Sequence, residues 1–201
     1  MIYKYPLQIR FKILTFAPQI SVTDNGGKEI LYIEQKVFAL REAVKIYNNG
    51  QEKKQLYGIK TQQVIDFGAQ YYFYQGTDEI APTGSIKEEG LQTLFKATYT
   101  ILDKDDNPEF TITETNPWIK VADYILSLIP YLGMVTGYFL HPTYQVVDAT
   151  SKKLIMRLQK TPSFWERQFR IDMIEKGLSK ENEIMCILGM LMLIQLQKSR
   201  G

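Results

Sequence analysis

The chain has few of the residues that build most catalytic and metal centres: one cysteine, Cys186, and one histidine, His141. A single cysteine excludes an internal disulfide and is typical of proteins in a reducing cytoplasm. No second histidine, nearby cysteine or glutamate at helical spacing accompanies His141, so we expect a structural histidine rather than a zinc ligand. Cys186 lies among large aliphatic residues, which predicts an inert core thiol.

The sequence also lacks the motifs of common enzymes. It contains no glycine-rich phosphate loop, no dinucleotide fingerprint and no Gly-x-Ser-x-Gly elbow. We therefore predict that the protein is not an enzyme and carries no cofactor. The segment Met1–Pro6 has no long apolar run of the kind that makes a secretory signal. We expect a cytoplasmic protein, with peripheral attachment to a membrane left open.

The composition is that of a folded domain rather than a disordered chain. With 201 residues, 45% of them apolar and 23% charged, the sequence predicts a single domain over residues 1–201. A net charge of +2 is too small to favour nucleic acid as a partner. The aromatic run Tyr71–Tyr74 also has acidic neighbours, Asp66, Asp78 and Glu79, where a stacking surface for nucleic acid needs basic ones.

The charge is segregated along the chain. Residues 1–60 carry ten Lys or Arg against five Asp or Glu, whereas residues 61–120 carry four against ten. Two interpretations of the densest basic stretch, residues 152–170, stay open: a solvated strand face, or a surface for phosphate or anionic lipid, near which each cation contributes roughly 1 kcal/mol. Besides the one acid, Glu166, the charged residues of this stretch are Lys152, Lys153, Arg157, Lys160, Arg167 and Arg170.

Side-chain alternation separates the basic residues of this stretch into two groups. We predict that Lys153, Arg157 and Arg170 point outward and form a candidate site for anionic lipid. Arg167 shares the inward register, so we expect a structural residue with a buried partner. The apolar residues that set the inner face are Leu154, Met156, Leu158, Trp165, Phe169, Ile171 and Met173.

The main organisational signal is a repeated unit of an alternating strand, a turn rich in Asp, Asn and Gly, and a second strand. Asn and Gly tolerate the positive φ angles that tight hairpins require. The pattern predicts about ten strands. Its clearest units lie at Ile20–Ile33, Lys45–Ile59, Tyr71–Asp78, Tyr99–Asp103, Tyr144–Leu158 and Phe164–Ile174.

One segment breaks the two-residue period and predicts a helix over about residues 180–197. Ser179 is a candidate N-cap, and Glu181 and Glu183 suit a first turn. The eleven residues Ile184–Ile194 are apolar on every face and span about 17 Å, against about 30 Å for a bilayer core. We expect this helix inside protein. In a β-rich chain that predicts a mainly β fold, a closed antiparallel β-barrel of about ten to twelve strands around a hydrophobic C-terminal helix.

Several segments match the strand and turn pattern of a known family. Lys36–Glu42 and Val44–Gly50 are similar to its turn and second hairpin, while Tyr144–Leu158, Trp165–Met173 and the terminal helix resemble its closing hairpin, last strand and central helix. The chain thus resembles the tubby C-terminal-like superfamily, in its LURP-one-related branch, and is also similar to phospholipid scramblases. The resemblance implies the same barrel and, as in tubby, docking on phosphoinositides.

An apolar block, residues 121–140, is longer than a hairpin loop of that family needs. Asp123 and Pro130 make a spanning helix unfavourable, because a charge in hydrocarbon is costly and proline breaks the helical hydrogen bonds. We expect a helical insertion at about 117–140 that covers one barrel end. A shallow membrane-inserting or partner-binding helix is the alternative.

An acidic segment partly matches a calcium loop. Asp103, Asp105, Asn107 and Glu114 place oxygen atoms at positions 1, 3, 5 and 12 of the template, but position 6, which needs glycine, is Pro108. The flanks also read as strands rather than helices. An acidic hairpin turn and a calcium site stay open, and we predict no other metal site.

Two functions from different classes follow. The first is a non-catalytic binding module that docks on anionic phospholipid headgroups or on a protein partner. The alternative is a scramblase-like membrane-associated protein that moves phospholipids, which requires residues 121–140 or the terminal helix to enter the bilayer. A structural protein remains a third candidate.

Overall fold

This computed structural model describes residues 2–12, 19–34, 44–61, 69–77, 80–89, 98–115, 143–162 and 167–200, and these residues form twelve strands and one helix. The elements are β1 (Leu7–Lys12), β2 (Gln19–Thr23), β3 (Glu29–Glu34), β4 (Val44–Tyr47), β5 (Gln55–Thr61), β6 (Gln70–Gln75), β7 (Gly84–Glu88), β8 (Thr98–Asp103), β9 (Pro108–Glu114), β10 (Thr143–Asp148), β11 (Leu154–Thr161), β12 (Arg167–Met173) and α1 (Lys180–Arg200).

The strands form one closed antiparallel barrel. Each strand pairs with its neighbours in sequence, and β1 pairs with β12 to close the sheet, with Ile9 opposite Phe169. Closure leaves none of the described strands with a free edge that another chain can extend. The predicted fold class is confirmed.

The helix α1 fills the barrel. Its side chains from Ile184 to Leu196 are buried on every face, with exposed fractions of 5% or less. They form one core with inward strand residues such as Ile9, Ile101 and Ile112. The predicted N-cap is also confirmed, because the Ser179 hydroxyl accepts the backbone N–H of Asn182 at 3.1 Å. The host of this apolar helix is therefore protein.

Three hairpin turns use the same hydrogen bonds. Asp24, Asp103 and Asp148 each accept two backbone N–H groups two to four residues further along, at 2.6 to 3.0 Å. Because consecutive strands are antiparallel, the β2–β3, β8–β9 and β10–β11 turns lie at the same end of the barrel, here called the turn end. The residues with positive φ in these turns are Gly27 (78°), Asp106 (61°) and Lys152 (58°).

The segment before β1 packs over the start of α1 at the turn end. The backbone N–H of Ile2 donates to Glu183 Oε2 at 2.8 Å, and Tyr3 and Tyr5 pack against the core. Burial, together with the neighbouring Tyr57 and Glu183, raises the pKa of Tyr3 to about 12. The start of the chain thus meets the start of α1 at one end of the barrel.

Several sequence-based predictions can be compared with the strands and the helix. The hairpins predicted around β2–β3, β4–β5 and β10–β11 are confirmed, whereas β1 and β7 were not predicted. The insertion at 117–140, the motif Lys36–Glu42 and His141 lie outside the described residues. In the part of the chain that the structure describes, no helix combines the length and apolar character that crossing a bilayer requires.

The contact between α1 and the wall generates a first prediction. A Cβ on Gly84 would lie 2.5 Å from Met185 Sδ and 2.7 Å from the Leu102 carbonyl oxygen. We expect Gly84→Ala to lower the free energy of unfolding by about 1–3 kcal/mol, as overpacking does. In the control Gly58→Ala, the new Cβ would meet only Gln55 Nε2, at 3.7 Å. Denaturant unfolding measures both variants, and equal stability would contradict close packing at Gly84.

Burial of the thiol generates a second prediction. Cys186 is 0% exposed, and burial, with the nearby Glu109 and Glu183, raises the pKa of its thiol. Since the thiolate is the reactive form, Cys186 should resist a thiol reagent in native buffer and react fully in denaturant. A Thr150→Cys variant, with a second thiol on an exposed turn, should label natively at one site. Fast native labelling of Cys186 itself would place α1 outside a dry core.

Candidate functional site

The outer faces of β10, β11, β12 and β1 form a polar surface, here called the arginine wall. Alternation sends the apolar residues of these strands inward, for example Ile9, Leu158 and Ile171, which are all 0% exposed. Among the described residues with outward register on these four strands, Asp172 is the only acid. The other charged or amide residues of the wall are Gln8, Arg10, Lys12, Gln145, Arg157, Gln159, Gln168 and Arg170.

Three arginines form a diagonal line across this wall. Arg170 on β12 lies opposite Gln8 on β1, so Arg10 is its diagonal neighbour on one side. On the other side Arg170 lies opposite Gln159 on β11, so Arg157 is again a diagonal neighbour. Diagonal neighbours in a sheet have Cα atoms about 7–8 Å apart. We call Arg10, Arg170 and Arg157 the arginine stripe.

One acid contacts this stripe. The Arg170 guanidinium donates to Asp172 Oδ1 at 2.9 Å from Nε and 2.8 Å from Nη2, and the hydrogen bond raises the pKa of Arg170 further. The two side chains are 44% and 25% exposed, so water competes for the pair. Exposed ion pairs contribute at most about 1 kcal/mol. Arg170 can therefore exchange Asp172 for another anion at little cost.

Two of the three predicted site residues lie in the arginine wall, and the third lies in a turn. Arg157 and Arg170 lie on adjacent strands, as predicted. Lys153 is exposed in the β10–β11 turn, and at about 3.3 Å per residue its Cα lies about 13 Å from that of Arg157. The alternation that predicted an outward Lys153 is broken by a register shift at the start of β11, where Ile155 and Met156 are both buried, so Lys153 belongs to the turn and not to the wall. Arg10, which the sequence did not indicate, completes the stripe.

The prediction for Arg167 is wrong. Its register is inward, as expected, because Phe169 and Ile171 on the same face are buried. Arg167 is the first residue of β12, however, and its side chain is exposed. At the end of the barrel, a side chain with inward register is exposed to solvent, so Arg167 needs no buried partner.

The four calcium-loop residues are not brought together. Asp103 Oδ1 accepts the backbone N–H groups of Asp105 and Asn107, and the Asn107 amide donates to the same carboxylate. These hydrogen bonds lower the pKa of Asp103. Glu114 is buried at the other end of β9, about 20 Å from the start of the strand at 3.3 Å per residue. Among the described residues, no group of three or more His, Cys, Asp or Glu is placed to hold a metal ion.

Comparisons with known proteins support the fold. No protein-family model and no curated protein matches the chain. A solved structure that matches is the X-ray structure of a protein from Arabidopsis thaliana, AT5G01750, with a TM-score of 0.54 and 10% sequence identity over 96% of this chain and 93% of that one. At this identity the likeness shows the fold alone, and it agrees with the tubby-like barrel that the sequence predicts.

The exposure of Arg167 generates a third prediction. We expect Arg167→Ala to change the free energy of unfolding by no more than about 0.5 kcal/mol, as exposed substitutions do. The contrasting variant is Phe169→Ala, two residues along on the same face, because Phe169 is 8% exposed and its ring packs edge-on against Phe11 at 5.7 Å. That variant should lose about 3–5 kcal/mol. A large loss for Arg167→Ala in denaturant unfolding would restore a structural role.

Proposed function

We propose that the protein is a non-catalytic binding module that docks on anionic phospholipid headgroups through the arginine wall. The observation that carries this proposal is the arginine stripe, in which Arg10, Arg170 and Arg157 line up on three adjacent strands. Residues from both ends of the chain contribute to it. A solvated face that only keeps the protein soluble needs no such alignment.

The chemistry of the wall suits phosphate groups. Arginine presents several N–H donors in a planar fork that matches phosphate oxygens, and it keeps its charge at any physiological pH. Gln8 and Gln159, which lie opposite Arg170 on the two neighbouring strands, carry further amide donors beside it. Each cation near an anionic membrane contributes roughly 1 kcal/mol. Three aligned arginines therefore support weak, reversible attachment.

The family resemblance supports the same proposal at a finer level. The chain is similar in sequence pattern to the LURP-one-related branch of the tubby-like group, and docking on phosphoinositides at the cytoplasmic face of a membrane is what that likeness implies. A protein partner with an acidic surface is the other candidate for the same wall. The scramblase-like alternative depends on residues 121–140, which lie outside the described residues, and it stays a prediction.

The proposal predicts a salt-sensitive interaction with anionic vesicles. The triple variant Arg10→Gln, Arg157→Gln, Arg170→Gln should bind vesicles of phosphatidylserine and phosphatidylcholine more weakly than the unmodified protein, by between about tenfold and about a hundredfold, because it loses three cations. Co-sedimentation measures the apparent affinity. Added salt should weaken binding of the unmodified protein, since exposed charges are screened.

A matched control separates the stripe from net charge. Lys28→Gln, Lys54→Gln, Lys104→Gln removes the same charge from exposed positions in the turns. This control should bind within about threefold of the unmodified protein, a difference of less than about 0.7 kcal/mol. Equal losses in both triple variants would mean that only net charge matters, and no loss in the arginine variant would exclude the arginine wall as the docking surface.

A further inference from the structure

The opposite side of the barrel carries a second basic surface. In the closed ring, four strands separate β11 from β6 in one direction and four separate β12 from β5 in the other. The pair β5 and β6 is therefore diametrically opposite the pair β11 and β12. We call the outer faces of β4, β5, β6 and β7 the lysine wall.

The lysine wall has cations and tyrosines on its strands, and two acids border its β7 side. The Asp106 carboxylate accepts a hydrogen bond from the Gln70 amide at 2.8 Å, and the Glu89 carboxylate accepts one from Thr100, which lies opposite Lys87. Lys45 lies opposite Gly58, which makes Lys60 its diagonal neighbour at about 7–8 Å. Lys60 lies opposite Tyr72, and Lys87 lies opposite Gln70, two residues from Tyr72. The four residues thus form an oblique line across four strands. The acid of β7, Glu88, has an inward register and is buried.

The residues of this line suit the surface of an anionic bilayer. Lys45 and Lys87 are exposed, and Lys60 and Tyr72 are half-buried. Lysines near the membrane surface are attracted to anionic lipids, and tyrosine rings are enriched at the level of the headgroups. The lysine wall is the weaker of the two surfaces, because two carboxylates lie near Lys87 and the amides of Gln55 and Gln70 already donate within the protein. The arginine wall has four cations and four glutamines against one acid, Asp172.

The two walls act independently. A helix is about 10 Å across, and sheets pack at about 10 Å from their neighbours, so the outer walls are separated by about 20 Å. The Debye length at physiological ionic strength is about 8 Å, so salt screens the charges of one wall before their field reaches the surface of the other. A flat membrane bound to one wall cannot reach the opposite one. The unoccupied wall then faces away from that membrane and remains basic.

We propose that the lysine wall is a second docking surface for anionic phospholipid, so that one molecule links two membranes. This inference rests on the proposed function, because the arginine wall makes the first contact. It adds an activity that one docking surface does not provide, the clustering of vesicles. The arrangement needs no dimer, since both walls belong to the same barrel.

Light scattering and co-sedimentation test the inference on the same vesicles. The unmodified protein should raise the scattering of vesicles that contain phosphatidylserine and leave pure phosphatidylcholine vesicles dispersed. The variant Lys45→Gln, Lys60→Gln, Lys87→Gln should bind vesicles within about twofold of the unmodified protein, a difference of about 0.4 kcal/mol, yet fail to cluster them. A second variant, Lys45→Gln, Lys87→Gln, leaves half-buried Lys60 in place, and it should also lose clustering.

The outcomes distinguish the two proposals. If the arginine variant loses binding but the unmodified protein leaves anionic vesicles dispersed, the lysine wall is not a docking surface and the proposed function stands. If the arginine variant binds normally, the proposed function fails. Clustering that persists in both lysine variants would overturn the inference, because bridging would then come from self-association.

Discussion

A helix that is apolar on every face has to be surrounded by apolar atoms on every side, and the rest of this structure depends on that requirement. A flat sheet covers one face of a helix, so the twelve strands close into a ring around α1. At two glycines, the helix and the strands come into especially close contact. Gly189 allows contact with Ile101, since a Cβ there would lie 2.7 Å from Ile101 Cδ1, and Gly84 leaves room for Met185.

Because the interior is committed to the helix, interactions with other molecules are left to the outer faces. Each strand divides its residues between these two tasks with a period of two. This division explains how a chain of net charge +2 can carry two basic surfaces. Asp172 lies on the arginine wall, but other acids are placed elsewhere: Asp24, Asp103 and Asp148 accept hydrogen bonds in their own turns, and Glu114 is buried in the barrel.

The features that sequence predicts here are those with local causes. Turn chemistry and alternation predict β2–β3 and β10–β11, and Ser179 with the apolar run predicts α1. The closed barrel followed from the helix by elimination. Arg10 was missed because its place beside Arg170 arises from the pairing of the first strand with the last. Burial of Arg167 was wrongly predicted, because strand alternation indicates which face a side chain is on but not how far it lies from the end of the barrel.

The pairing of β1 with β12 has a consequence for how the protein folds during its synthesis. The helix follows all twelve strands in the chain, so the ribosome completes it after them. Until then, the inner faces of the strands have no apolar partner. The first strand, β1, also cannot pair with β12, which is made near the end of synthesis. Pairing of such distant segments is slow, and exposed apolar strands aggregate. A nascent chain with this order of elements therefore cannot complete its barrel until nearly all of it has been synthesised.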